Sequence, residues 1–139
     1  MRRIRKFNSE SNLQIMVADY LRLQYPGVIF MSNYGAGLKL SIGQASIQKR
    51  QNGGWKGLPD MFIAKRKLIH ENHGWWCGGL FIELKKEGTR LKKKNGDWAT
   101  PHIAQQAEIL EKLRKEGYKA EFACGFNEAI KLIDEYLKG

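Results

Sequence analysis

The sequence predicts an α/β domain built on a mixed central β-sheet. Helical spacing of apolar residues near the N-terminus, strand alternation over Leu80 to Lys85, and the interleaving of such segments along the chain carry this reading. The order is helix, strand, small helix, two strands, helix, strand, helix. At 139 residues the chain reads as one domain over residues 10–139, behind a basic arm over residues 1–9. A chain of this size can bury roughly two-thirds of its unfolded surface.

The first helix is marked by Leu13, Met16, Val17, Tyr20 and Leu21, an i, i+3, i+4, i+7, i+8 stripe expected to face a core. Asn8, Ser9 and Ser11 are N-cap candidates, with Ser11 and Gln14 fitting a capping box. Glu10 lies at the N-terminal end of the stripe, where it can look inward or satisfy the helix dipole. Pro26-Gly27 ends this helix, and Val28 to Met31 reads as a short strand. The turn Asn33-Tyr34-Gly35-Ala36-Gly37 lacks the Gly-Lys-Ser/Thr of a phosphate-binding loop. A small helix over Ser41 to Gln51 carries Ile42, Ala45 and the basic pair Lys49 and Arg50, and Asn52-Gly53-Gly54 stops it. Trp55 then reads as a packing residue rather than a base-stacking one.

Strands are expected from Asp60 to Ala64 and from Gly79 to Lys85, with a polar hairpin loop over His70 to Gly78. Leu68 and Ile69 either extend the first strand or start one of their own. His70, His73 and Cys77 have ligand-like spacing, but a Gly/Trp-rich turn without a fourth ligand reads as a loop, not a zinc site. Trp75-Trp76 is either a hairpin tip folded back on the sheet or an exposed dimer contact. Lys86 to Ala99 is a lysine-rich loop. Thr100-Pro101 opens a helix that runs to about Glu116, with Ile103, Ala107, Leu110 and Leu113 or Arg114 inward; Gly117 ends it. Tyr118 to Cys124 is the last strand, and Asn127 is placed as the cap of a closing helix with Ile130, Ile133 and Leu137 inward.

Charge narrows the function. Lys+Arg of 24 against Asp+Glu of 14 leaves +10, which favours a polyanionic partner. A membrane is the poorer choice, because no apolar run approaches the roughly 18 residues of a spanning helix. The N-terminus, Met1-Arg2-Arg3-Ile4-Arg5-Lys6, lacks a signal-peptide core and reads as cytoplasmic. Cys77 and Cys124 make no CxxC pair, so a redox motif is not indicated. Nucleic acid is therefore the expected partner, with Lys49, Arg50, Lys56, Lys86, Arg90, Lys92, Lys93 and Lys94 as backbone contacts.

Chemistry is concentrated in Gly57-Leu58-Pro59-Asp60 and Phe81-Ile82-Glu83-Leu84-Lys85. Alternation puts Phe81, Glu83 and Lys85 on one strand face and Leu80, Ile82 and Leu84 on the other. Asp60 starts the preceding strand and would hairpin back beside Glu83. Taking charge out of water costs several kcal/mol per ion, so two carboxylates and a lysine brought together call for a shared partner. A hard divalent cation on oxygen ligands is such a partner.

These two segments resemble the PD-(D/E)xK nuclease signature, and within it the VRR-NUC family, including its small stand-alone phage and bacterial members. Glu10, the Lys56-Gly57 lead-in, Gln106 and Gly117-Tyr118 fall where that family has them, so the resemblance runs from about Glu10 to about Ile130. It implies the restriction-endonuclease-like core and a DNA endonuclease dependent on Mg2+ or Mn2+, leaving a 5′-phosphate and a 3′-hydroxyl. It also implies that Asp60 and Glu83 ligate the metal, with the Leu84 carbonyl as a third oxygen and Glu10 completing the shell. Lys85 would orient or deprotonate the attacking water, and Gln106 would support the site. Stand-alone members look like homodimers acting on branched DNA such as Holliday junctions. The rival from another class is a non-catalytic nucleic-acid-binding module on the same fold, which predicts loss of the acidic trio; Asp60, Glu83 and Lys85 are all present.

Overall fold

The computed structural model describes residues 10–32, 41–69 and 75–138. The basic arm, the cap candidates Asn8 and Ser9, the glycine turn after Ser32, and His70 and His73 lie outside the described residues, as do the side chains of Glu10, Ser11 and Trp75.

The elements are α1 (Glu10–Gln24), β1 (Phe30–Ser32), α2 (Ile42–Gln51), β2 (Met61–Ile63), β3 (Lys67–Ile69), β4 (Trp75–Cys77), β5 (Leu80–Lys85), α3 (Pro101–Lys115), β6 (Lys119–Cys124) and α4 (Phe126–Lys138). Four strands form the main sheet in the order β1-β2-β5-β6. The β1/β2 and β2/β5 pairs are antiparallel and β5/β6 is parallel, so the sheet is mixed, as predicted. The parallel step is forced by α3, which crosses from the end of β5 to the start of β6.

Register sorts the side chains. Met61 and Ile82 pair, as do Ile63 and Leu80, and with Leu84 and Ala123 they fill one face. There they pack against Leu13, Val17 and Leu21 of α1 and Ala129, Ile133 and Tyr136 of α4. The other face carries Phe62, Phe81, Glu83, Phe122 and Lys85 beneath α3. Phe62 and Phe81 stack at 4.4 Å, and Tyr118 meets Phe81 edge-on at 5.1 Å, an apolar floor for that side. Because helices cover both faces, β5 is buried along nearly its whole length, including its two charged residues.

Several local expectations shift. Helix α1 begins at Glu10, which puts Ser11 inside it and rules out the Ser11–Gln14 capping box. Its inward stripe is Leu13, Gln14, Val17 and Leu21, whereas Met16 faces solvent. The strand expected over Val28 to Met31 is shifted to Phe30–Ser32. Ser41 caps α2 through a reciprocal box with Gln44, yet no residue of α2 is buried, so Ile42 does not reach the core. The run expected to be loop contains β4, which pairs with β3 as a separate two-stranded sheet. Leu68 and Ile69 therefore belong to a strand of their own. Trp76 is half-exposed with the Arg66 guanidinium 4.4 Å above its ring.

The α3 start is as read: Thr100 accepts from the Ile103 N–H at 3.1 Å ahead of Pro101. Asn127 is not the cap of α4. Gly125, at φ 92°, holds that position, its carbonyl accepting from Ala129 N–H at 3.2 Å. The inward line of α4 is Ala129, Ile133 and Tyr136: Ile133 faces inward as predicted, Ala129 takes the place expected of Ile130 and Tyr136 that of Leu137, which packs at the edge.

Candidate active site

Three elements meet at the C-terminal half of β5. Gly57 bends the chain with φ 74°, a conformation that costs a side-chain-bearing residue roughly 1–2 kcal/mol. A Cβ there would lie 3.6 Å from the Gln106 Cα, so the Gly57-Leu58-Pro59 segment runs against α3 before delivering Asp60 to the head of β2. Asp60 Oδ2 then accepts the Leu84 N–H at 2.8 Å. This fastens the Asp60 carboxylate to the peptide immediately after Glu83. Pleat alternation does the rest: Gly79 and Lys85 carbonyls accept from β6 and its extension, so Leu84 turns both N–H and C=O the other way, toward Asp60.

Glu83 is 4% exposed and Gln106 5%. The Gln106 amide donates to Glu83 Oε1 at 2.6 Å, holding the carboxylate from the α3 side. Gln106 Oε1 is also buried and has no hydrogen-bond partner among the described residues. Lys85, on the same strand face as Glu83, is 6% exposed and makes no ion pair among the described residues. Gln105 is exposed, which separates it from Gln106.

Helix α1 supports Asp60 from the opposite side, through a residue read in the sequence only as a capping partner. Gln14 donates to Ser32 Oγ at 2.5 Å and to the Asp60 carbonyl at 3.4 Å. Its place between Leu13 and Val17 on the stripe was the available signal. Glu10 opens the same helix one turn ahead of Gln14.

Asp60, Glu83 and the Leu84 carbonyl offer only oxygen donors, the set preferred by hard divalent cations, and a leftover buried acceptor on Gln106 suits a site that also orders water. No group of three or more His, Cys, Asp and Glu converges among the described residues. Cys77 and Cys124 are free thiols; Cys124 pairs with Lys85 in register, and burial pushes its thiol up.

The basic residues divide into two groups. Lys49, Arg50 and Lys56 are exposed on and after α2, and Lys86, Arg90, Lys92, Lys93 and Lys94 are exposed on the loop leaving β5. That loop folds back as an irregular hairpin: Lys92 bridges to Trp98, and Trp98 lies 5.7 Å from Phe122, the β6 partner of Glu83. The hairpin is thereby held beside the face that carries Glu83 and Lys85, with its lysine side chains exposed.

A mixed sheet with one helix over the acidic face, two over the other, and Pro-Asp and Glu-x-Lys on adjacent strands is the restriction-endonuclease-like fold. Within it the chain is similar to a solved "VRR_NUC domain protein", at 25% identity and a TM-score of 0.63, over 96% of this chain and 91% of that one. The likeness to the VRR-NUC family seen in the motifs thus extends to nearly the whole fold. No family model matches the sequence, and no curated protein does. No helix among the described residues is long and apolar enough to cross a membrane.

Proposed function

We propose that the protein is a metal-dependent DNA endonuclease that hydrolyses phosphodiester bonds in branched DNA. The observation that carries this is the joint fixing of two acids on one strand segment: Asp60 through the Leu84 N–H, Glu83 through Gln106. A fold has no need to bury Glu83 and Lys85 beside a half-buried Asp60 for stability alone. Asp60, Glu83 and the Leu84 carbonyl would hold Mg2+ or Mn2+, with Glu10 completing the set. The bound ion would supply charge neutralisation at the scissile phosphate and a more acidic water.

The chain's own residues do the remainder. Gln106 keeps the Glu83 carboxylate from rotating away, and Gln14 steadies the Asp60 backbone. Lys85 orients the attacking water or takes its proton, and donates to the phosphate oxygens as charge builds on them. Water oxygen bonds to phosphorus while its proton passes to Lys85 or to solvent, the bond from phosphorus to the 3′ oxygen breaks, and that oxygen takes a proton from solvent to leave as a hydroxyl. The exposed lysines after β5 hold the backbone on either side.

A homodimer would set two such sites on a two-fold symmetric junction. Support for it comes from exposed apolar side chains on and near the edge strand of the described sheet, Met31 in β1 and Ile29 just before it, together with exposed Ile15 and Leu23 on α1.

The test uses labelled linear duplex, flap and four-way junction DNA, with Mg2+, Mn2+ or EDTA, alongside Asp60→Ala and Lys85→Ala. Cleavage of the branched substrates that requires metal and both side chains is expected. Cleavage persisting in EDTA or in both variants rejects the site, and no cleavage of any substrate favours a binding module on this fold.

A further inference from the structure

A second feature shares the Gly57-Leu58 segment with the acids. Between it and the outer side of α3 lies a cavity of about 400 Å3, walled by Trp55, Leu58, Ile109 and Leu113, with Lys112 and Lys115 at its edge. We propose that this groove takes an unstacked nucleobase of the DNA, so that the protein selects substrates with an unpaired nucleotide near the scissile bond. The inference rests on the nucleic-acid half of the proposed function and names the feature of branched DNA that is read.

Trp55 is not absorbed into the core: it is 52% exposed, an indole standing at the mouth of an apolar slot. A ring so placed offers a stacking platform, and every base has a complementary face. Lys112 lies 5.0 Å from the ring centroid and is also paired with Glu108 at 3.4 Å, which keeps it against the indole. Glu116 lines the groove as well, so phosphate contact falls to Lys115 in the lining and to the exposed Lys56 next to Trp55 in the chain. At about 400 Å3 the groove is at the small end of ligand sites and too small for a duplex, whose bases also present no free face. Leu58 stands two residues before Asp60, and a Cβ at Gly57 would lie 3.5 Å from Gln106 Cγ, so a base seated here belongs to a nucleotide close to the reacting phosphate.

The experiment uses the full chain carrying Asp60→Asn, in EDTA, so that no turnover is needed. The probes are a gapped duplex with 2-aminopurine at its unpaired position and a fully paired duplex with the same label. Binding should quench the unpaired label and leave the paired one unchanged. Trp55→Ala should abolish quenching and weaken gapped-DNA binding about tenfold while paired-duplex affinity changes less than about twofold, and Trp55→Phe should keep most of both. Quenching and affinity retained in Trp55→Ala, or equal loss on gapped and paired DNA, overturn the proposal. Should Trp55→Ala fail to fold, equal quenching at paired and unpaired positions by the Asp60→Asn chain itself overturns it. Cleavage is read separately on the unmodified chain: quenching without cleavage keeps the groove and removes the nuclease, and cleavage without quenching does the reverse.

Discussion

Removing the Gln106 side chain tests how Glu83 is held. In Gln106→Ala the carboxylate loses a 2.6 Å amide donor in a setting where both residues are about nine-tenths buried or more. A hydrogen bond to a charged group contributes about 1.5–3 kcal/mol, and water entering the space left by the amide would recover part of it. A loss of about 1–2 kcal/mol in urea unfolding is therefore expected. Cleavage should suffer more, because a carboxylate that can rotate no longer stays where the proposed metal site needs it. Partners that orient metal ligands typically matter by about 10–100-fold, and kcat should fall by that order while KM for DNA stays close to its original value. Gln105→Ala, at the exposed neighbour, should change stability by less than about 0.5 kcal/mol and leave cleavage intact. Parent-like stability and rate in Gln106→Ala, or equal damage from Gln105→Ala, would refute this role.

Two further outcomes follow from other parts of the structure. Tyr25 and Tyr20 donate to Asp134 at 2.6 and 2.7 Å, tying the end of α1 to α4. The Tyr25 bond, more than any other contact, holds the Asp134 carboxyl below its usual 3.8, so its contribution to stability is present above about pH 4 and fades as pH falls through the lowered value. Burial, then that same bond, pushes the Tyr25 hydroxyl from 10.0 up to about 12, so its contribution is full below pH 10 and lost as pH rises toward 12. Tyr25→Phe should reduce both limbs of a stability–pH curve measured by urea unfolding and cost about 1 kcal/mol near neutral pH; an unchanged curve would contradict the assignment. Replacing Lys93 and Lys94 by Ala should weaken duplex and branched DNA alike and lower the slope of log affinity against log salt by about one per lysine lost. An unchanged slope would place the DNA elsewhere.

Much of this arrangement was legible in the sequence because it depends on short-range rules. Alternation alone put Glu83 and Lys85 on one face of β5, and Thr100-Pro101 fixed the start of α3. Polar residues on inward faces were harder, since periodicity is read from apolar positions. Gln14 lies on the buried stripe of α1, and Gln106 stands three residues after Ile103, on the line that Ile109 and Leu110 continue, yet neither is apolar. β4 escaped, and β3 stood as one of two readings, because each strand has three residues, too few for alternation to show, and glycines flank the Trp-rich run. Gly125 replaced Asn127 as the cap because its positive φ and its bond to the Lys85 carbonyl depend on where β5 ends, which composition does not encode.

Crystals soaked in Mn2+ and measured for anomalous scattering give the most direct test of whether the two acids share a cation. One peak within about 2.0–2.3 Å of oxygens from both Asp60 and Glu83, absent in Asp60→Ala, is the predicted result. A peak touching only one of the two carboxylates, or none beside β5 at a manganese concentration that supports cleavage, would contradict it.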